Sequence, residues 1–236
     1  MKKIYAMIVM MAMTLTASAQ EAEVASPYDN GLSVKIAAEA DKFTLTARDQ
    51  EPLTIAIPKQ ARAKKGDVVL TMDGTRLVYA IVTDIKNPLK PTVVLMNAEY
   101  EDNDDGTPKV ESKQLESGTF AIVKAQGWTP GARVAIKSSR WHMGKMVCEK
   151  DGKVLVLLKG EVQAFKKTDV KLLPLKELLK PGDEVKMTRA RMSTLCMDGW
   201  KVKKVNAGIG RVWITFGPDA SPKIVGLVDV TKAIKD

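Results

Sequence analysis

The chain has 236 residues, of which 45% are hydrophobic and 28% are charged. This balance is typical of a folded globular chain and excludes collagen-like, coiled-coil and wholly disordered proteins. Lysine and arginine outnumber aspartate and glutamate by 37 to 28, a formal net charge of +9. After the first twenty positions the longest aliphatic run is Val154 to Leu158, so the sequence predicts no membrane span.

The N-terminus has the layout of a secretory signal peptide. Two lysines at positions 2 and 3 precede an apolar stretch over residues 4–15, and Ala17-Ser18-Ala19 provides the small residues of a cleavage site. We therefore expect cleavage near Ala19, with residues 1–19 removed. This predicts a mature protein that is periplasmic or secreted.

Charge is unevenly spread along the predicted mature chain. Residues 20–126 carry 13 basic and 17 acidic side chains, whereas residues 127–236 carry 22 basic and 11 acidic ones, a net charge of +11. Halves of opposite sign predict either an anionic partner for the C-terminal half or internal pairing of the two halves. A solvated, lysine-rich surface is the third interpretation.

Short runs of Val, Ile and Thr, interrupted by Gly, Pro and Asp, predict a mostly β fold. Residues 20–64 are expected to form an N-terminal β segment. Further along, Asp151-Gly152 lies between two strand-like runs and tolerates the positive φ of a type I′ turn, which predicts a hairpin. The one helical signal is a short turn near residues 175–179, where leucines at i, i+3 and i+4 would form one stripe.

Three segments repeat the same order of strand signals. Each opens at a glycine-led strand, at Gly66, Gly131 and Gly182. A second strand then begins with an aromatic residue, Tyr79, Trp141 or Trp200. The openers are 65 and 51 residues apart, and units of this size suit a five-stranded barrel that closes its own edges. We predict two or three tandem SH3-like five-stranded barrels: unit 1 over 65–126, unit 2 over 127–180 and unit 3 over 181–236.

Unit 2 carries a recognisable pattern: Pro130-Gly131, Val134, Trp141, Gly144, Val147, Val154-Leu155-Val156 and Asp169-Val170-Lys171-Leu172. This pattern resembles Tudor or agenet-type domains of the SH3-like barrel class. Unit 3 is similar but has a long first loop, and unit 1 has an acidic insertion over 99–107. The resemblance implies a cage of three or four aromatic rings that holds methylated lysine or arginine. The matching rings are Trp141 and Phe165 in unit 2, and Trp200, Trp213 and Phe216 in unit 3. Bacterial SH3-like domains that bind cell-wall peptides are also similar.

The two cysteines and the single histidine are the candidates for thiol and metal chemistry. His142 and Cys148 would lie about 20 Å apart on one straight strand, too far for a catalytic dyad. In an oxidising compartment Cys148 and Cys196 are candidates for a disulfide, and two separate buried thiols are the alternative. His142, Met146 and Cys148 have the parity to share a strand face, so Cu(I) binding is a minority interpretation.

Sequence motifs for catalysis are absent. Gly208-Ile209-Gly210 lacks the third glycine of a nucleotide-binding fingerprint, and neither a G-x-S-x-G elbow nor an H-E-x-x-H helix motif occurs. We therefore predict that the protein is not an enzyme and needs no cofactor.

Basic side chains adjoin aromatic ones in the C-terminal half, as in a platform that binds glycan, peptide or nucleic acid. The alternative is that the tryptophans fill small cores. The predicted ligand-binding residues are Arg140, Trp141, Lys145, Phe165, Lys166, Lys167, Trp200, Lys203, Lys204 and Arg211.

The predicted function is an exported binding or adaptor protein of the bacterial cell envelope. Its expected partner is an anionic envelope component such as cell-wall peptide, glycan or phosphorylated lipid, or an envelope protein; nucleic acid is not expected. A structural subunit of an envelope complex is one alternative, and a thiol or Cu(I)-binding protein is another.

Overall fold

A computed structural model describes residues 25–59, 61–96, 110–138, 140–188, 194–217 and 219–234. These residues form eighteen β-strands and one 3-10 turn, so the mostly β fold predicted from the sequence is confirmed. The predicted signal peptide and the acidic insertion over 99–107 both lie outside the described residues. Within the described part of the chain, no helix is long and apolar enough to cross a membrane.

The N-terminal segment is an antiparallel meander of three strands. They are β1 (Leu32–Ala38), β2 (Lys42–Ala47) and β3 (Leu53–Ala56). Alternate residues of β2 and β3 are buried, as the alternation of apolar and polar residues predicts for strands with one face on a core. β1 also pairs with β12 of unit 2, so this meander extends the sheet of that unit.

Each unit contributes five strands. Unit 1 has β4 (Val68–Asp73), β5 (Arg76–Asp84), β6 (Thr92–Leu95), β7 (Ser112–Gln114) and β8 (Phe120–Ile122). Unit 2 has β9 (Arg133–Lys137), β10 (Trp141–Lys150), β11 (Lys153–Leu158), β12 (Glu161–Lys166) and β13 (Val170–Leu172). Unit 3 has β14 (Glu184–Thr188), β15 (Thr194–Asn206), β16 (Arg211–Thr215), β17 (Lys223–Gly226) and β18 (Val230–Thr231).

The strand order is the same in all three units. The sheet of unit 1 runs β7-β6-β5-β4-β8, and the corresponding orders are β12-β11-β10-β9-β13 in unit 2 and β17-β16-β15-β14-β18 in unit 3. In each unit the first strand therefore bonds both the second and the fifth. Each predicted unit thus contains five strands in the same order, although the strands of units 2 and 3 belong to one 13-stranded sheet together with the N-terminal meander. Strand order does not test the resemblance to Tudor domains, which stays a prediction.

Turn chemistry explains one predicted connection and corrects another. Asp151 and Gly152 have φ values of 51° and 73°, as a type I′ hairpin requires. The helical turn, in contrast, lies at Lys167–Asp169 and not at 175–179. Residues 173, 175 and 177 are buried while Leu178 is 87% exposed. This period of two shows that the segment is extended, because it lies across the junction of the units with alternate side chains inward.

The units pack against one another around a shared core, in addition to smaller apolar clusters within units 1 and 2. Units 2 and 3 are joined strand to strand, since Trp141 pairs with Leu195 and His142 with Thr194. The largest apolar cluster draws buried side chains from every part of the fold, among them Leu45, Tyr79, Leu155 and Val212. The hydroxyl of Tyr79 also donates a hydrogen bond to the carbonyl of Gly131 (2.8 Å), which ties unit 1 to unit 2.

A buried arginine holds the linker between units 2 and 3. Arg133 is 1% exposed, and its guanidinium donates to the carbonyls of Pro174 (3.0 Å) and Val230 (2.5 Å). On the same linker Glu177 accepts hydrogen bonds from the Thr231 hydroxyl and the Lys232 amide. Buried polar groups of this kind are stable only when they are bonded, so these contacts determine how unit 3 docks.

Candidate anion-binding surface of unit 3

A β-bulge in β15 brings adjacent lysines to the surface. The β15–β16 register pairs Val202 with Ile214 and Lys204 with Trp213, which leaves Lys203 as the extra residue. In a regular strand successive side chains alternate between the faces. The inserted residue interrupts that alternation, so both Lys203 and Lys204 are exposed directly after the buried Val202.

These side chains form a surface that we call the β15 lysine face: Lys201, Lys203, Lys204 and Trp213. Lys201 and Lys204 pair with Thr215 and Trp213 of β16 and therefore share one side of the sheet. The ammonium of Lys204 lies 4.8 Å from the ring centre of Trp213. This cation–π contact restrains a long side chain, so its charge is held in a fixed place beside an aromatic ring.

Lysines of the β15 lysine face form no ion pair with a carboxylate of the described residues. Glu184 of β14 lies opposite Lys201 in the sheet, where its charge partly offsets that of the lysine. Several lysines of unit 2, in contrast, form ion pairs with acids of the N-terminal meander and of unit 2 itself: Lys153 with Asp29 (3.1 Å), Lys150 with Glu51 (3.9 Å) and Lys167 with Glu149 (2.7 Å). Internal pairing of the two halves is thus present, but none of these ion pairs includes a lysine of the β15 lysine face.

Two predicted ligand-binding residues of unit 3 are interior residues. Arg211 is 2% exposed and donates to the carbonyl of Leu95 in unit 1 (2.9 Å). Trp200 is 5% exposed and packs edge-on against Phe216, with ring centres 5.5 Å apart. Their burial removes both from an exposed binding platform and gives them packing roles.

The aromatic rings do not converge on one cage. In unit 2, Phe165 packs in the unit's own core, whereas Trp141 packs in a separate small cluster. In unit 3, Trp200 is buried on the same face of the sheet as Val202 and its partner Ile214. Trp213 directly precedes Ile214 in β16 and therefore lies on the opposite face. The ammonium of Lys223 lies 5.5 Å from the Trp200 ring centre, where a cationic ligand would stack.

The remaining predicted residues lie in three places. Arg140 is exposed at the start of β10, and Lys166 and Lys167 are exposed where β12 meets the 3-10 turn. Lys145 lies partly buried at the junction with unit 1. Its ammonium is 4.9 Å from the ring centre of Tyr79, and burial lowers its pKa to about 8. None of these four cations lies on β15 or β16, the strands that carry the β15 lysine face.

Sequence reasoning missed two aromatic partners. Trp128 lies under the ammonium of Lys167 (4.7 Å to the ring centre), and Tyr79 lies under Lys145. Both pairs are distant in sequence. No local pattern reports them, because they depend on sheet register and on how the units dock.

A bulge in β10 also overturns the shared face proposed for a soft-metal site. The register shifts between Met146 and Cys148, so Met146 is buried in the unit 2 core while Cys148 packs against the main cluster on the other side. Burial raises the pKa of the Cys148 thiol, which disfavours the thiolate that metals bind. Within the described residues, no three His, Cys, Asp or Glu side chains are grouped to hold a metal ion.

The predicted disulfide partners lie far apart along paired strands. In the antiparallel pairing of β10 and β15, His142 lies opposite Thr194. The same register places Cys196 opposite Arg140, which is eight residues before Cys148. Eight residues of strand span about 26 Å, whereas bonded cysteines need α-carbons within about 7 Å. Cys148 is a free thiol, and the side chain of Cys196 lies outside the described part of the structure.

Comparisons with known proteins add no relative to this description. No known protein family matches the sequence, and no curated protein is similar to it. The functional argument therefore rests on geometry and charge.

Proposed function

We propose that this is an exported, non-enzymatic binding or adaptor protein of the bacterial cell envelope that holds an anionic partner on the β15 lysine face. The observation that carries the proposal is the set of three exposed ammonium groups beside a tryptophan ring, none of which forms an ion pair with a carboxylate of the described residues. An anionic glycan, cell-wall peptide or phosphorylated lipid supplies the missing charge.

Electrostatic attraction of this kind acts over a limited range. Salt screens exposed charges beyond about 8 Å at physiological ionic strength, so binding on this face depends strongly on salt. The Trp213 ring offers a flat apolar surface next to the charges, which suits a sugar ring or an acyl chain. Charge and ring together favour an amphipathic anion over a simple inorganic one.

Retention on a heparin column tests this proposal. We expect Lys203→Glu/Lys204→Glu to elute at clearly lower salt than the unmodified protein. The matched control is Lys166→Glu/Lys167→Glu, which makes the same change in net charge on unit 2. The control should elute close to the unmodified protein.

Three results would overturn the proposal. Equal losses in the two variants would mean that net charge, and not a face of unit 3, governs retention. A loss confined to the control pair would move the surface to unit 2. Retention that does not respond to salt would exclude an electrostatic surface altogether and would favour a structural subunit held by apolar contacts.

Export is tested separately. Cleavage near Ala19 would leave a periplasmic or secreted form that begins at Gln20, which N-terminal sequencing of the fractionated protein would detect. An uncleaved protein found only in the cytoplasm would contradict it.

A further inference from the structure

A cleft of about 350 Å³ lies between two linkers of the chain. Residues 124–127, which connect unit 1 to unit 2, form one wall, and residues 172–176, which lead from unit 2 towards unit 3, form the other. Ala132 and Arg133, at the start of β9, lie between them. The cleft is separate from the β15 lysine face, which belongs to unit 3.

The charged residues that line the cleft are all cationic. Of the residues that line it, Lys124, Arg133 and Lys176 are cationic, and none is acidic. Among the described residues, the Arg133 guanidinium donates hydrogen bonds to two carbonyl oxygens and to the Met143 sulfur, and it forms no ion pair with a carboxylate. Burial lowers the pKa of the Arg133 guanidinium, and the negative charges of Glu177 and Asp229 oppose this shift. The wall thus contains a buried positive charge without a counter-ion in contact.

The two lysines leave hydrogen-bond donors available. Lys176 donates to the carbonyl of Gly66 (2.7 Å), and an ammonium group has three donors, so two are left for a ligand. Lys124 is exposed at the opposite wall. A carboxylate has two acceptor oxygens and can bond donors from both sides.

Apart from Gln126, the rest of the lining carries no polar side chain. The apolar part of the lining comes from the start of β9, the end of β13 and the linker that follows it: Ala132, Leu172, Leu173, Pro174 and Leu175. Its volume is at the small end of the range of ligand pockets, about 300–1,000 Å³. At about 30 Å³ for each water-sized group, the space holds roughly ten non-hydrogen atoms.

We propose that this cleft binds a small organic anion, a carboxylate on an apolar body of about six carbons, between the two linkers. The carboxylate lies between Lys124 and Lys176 and in the field of Arg133, and the apolar body contacts the leucines. This ligand class follows from the lining, because a cationic rim attracts any anion but an apolar wall favours one with a hydrocarbon part.

Calorimetric titration of the mature chain with hexanoate tests the proposal, with hexanol as the neutral probe of equal length. Hexanoate should bind saturably and hexanol at least tenfold more weakly, since loss of a charge-assisted hydrogen bond changes affinity by about that factor. Lys124→Gln/Lys176→Gln should weaken hexanoate binding about tenfold by the same reasoning. Because Lys176 also bonds Gly66, the single variant Lys124→Gln tests the site with that contact intact and should weaken binding about threefold.

The matched control is Lys203→Gln/Lys204→Gln, which removes the same charge from the β15 lysine face and should leave the hexanoate affinity unchanged. Amide shifts of Gln126 and Gly127 on titration would place the ligand. Absence of saturable binding up to about 10 mM, well above the Kd of even a weak ligand, would overturn the proposal. So would equal binding of hexanol, or a loss in the control variant. Heparin retention that is unchanged in the cleft variants keeps this test distinct from that of the proposed function.

Discussion

Lys145 provides the sharpest test of how units 1 and 2 pack. Its ammonium is held over the ring of Tyr79 at the junction of the two units. Burial lowers its pKa to about 8, Asp229 opposes this shift, and Arg76 adds to it. Lys145→Met keeps an unbranched side chain of similar length and removes the titrating charge.

The magnitude follows from the pKa difference between the folded and unfolded chain. An unfolded lysine titrates near 10.4, so a folded value of about 8 means that the charged form is disfavoured by at most about 3 kcal/mol. The cation–π contact, which methionine lacks, offsets about 0.5–1 kcal/mol of this. At pH 7 we therefore expect the variant to be more stable than the unmodified protein by about 2 kcal/mol.

The sign of the pH dependence is set by proton binding. Between pH 8 and about 10.4 the unfolded chain keeps its proton on Lys145 while the folded chain has lost it, so unfolding takes up a proton and stability rises with pH. The free energy of unfolding of the unmodified protein should rise, relative to that of Lys145→Met, by about 2 kcal/mol from pH 8 to pH 10. Ionisation of Tyr79, whose pKa burial raises, affects both proteins alike.

Urea unfolding at pH 7, 8, 9 and 10, followed by tryptophan fluorescence, measures this difference. Lys203→Met controls for the loss of one positive charge at an exposed site. If the curves of the unmodified protein and Lys145→Met stay parallel across this range, Lys145 is not desolvated at the junction, and the packing of the units described above is wrong.

Three further changes test the packing and the thiols. Gly144→Ala would place a Cβ atom 2.5 Å from a core valine and 2.9 Å from a backbone oxygen. Urea unfolding should therefore show that the free energy of unfolding falls by about 2 kcal/mol. The control Gly217→Ala, with no atom within 4 Å of its Cβ, should leave the free energy of unfolding almost unchanged. Tyr79→Phe removes the buried hydrogen bond between units 1 and 2 and should cost about 1–2 kcal/mol in the same assay. A thiol titration of the denatured, unreduced protein should find both Cys148 and Cys196 free, because the strand register separates them; a count of zero would contradict that register.

The sequence predicted the repeat because each unit begins with the same kinds of residues, which act on the backbone over a few neighbouring positions. Glycine-led openers and aromatic-led second strands mark the first two strands of each unit, and Asp151-Gly152 determines its turn by tolerating positive φ. Local signals are not always sufficient, however. Asp198-Gly199 is the same dipeptide, yet it lies inside β15, where Gly199 adopts a φ of +87° without a turn.

The candidate sites depended on features that no local pattern reports. One inserted residue in β15 brings Lys203 to the surface next to Lys204, and one in β10 separates Met146 from Cys148. Counting odd and even positions along a strand predicts which face a side chain occupies, but this fails beyond a bulge because one extra residue exchanges the two faces. The prediction of a helical turn near residues 175–179 was wrong for a related reason. The leucines there have helical spacing, but the segment is extended because it buries alternate residues at the junction of the units.

By itself, the sequence determined the β class, the tandem units, their order along the chain and the excess of positive charge in the C-terminal half. Those properties come from side-chain periodicity, turn residues and charge counts, all of which act over a few neighbouring residues. Only the tertiary structure decided which lysines pair with acids, which aromatics are buried, and that the two linkers enclose a cationic cleft around Arg133. These outcomes depend on residues far apart in the chain, which are brought together when the three units bury a common core.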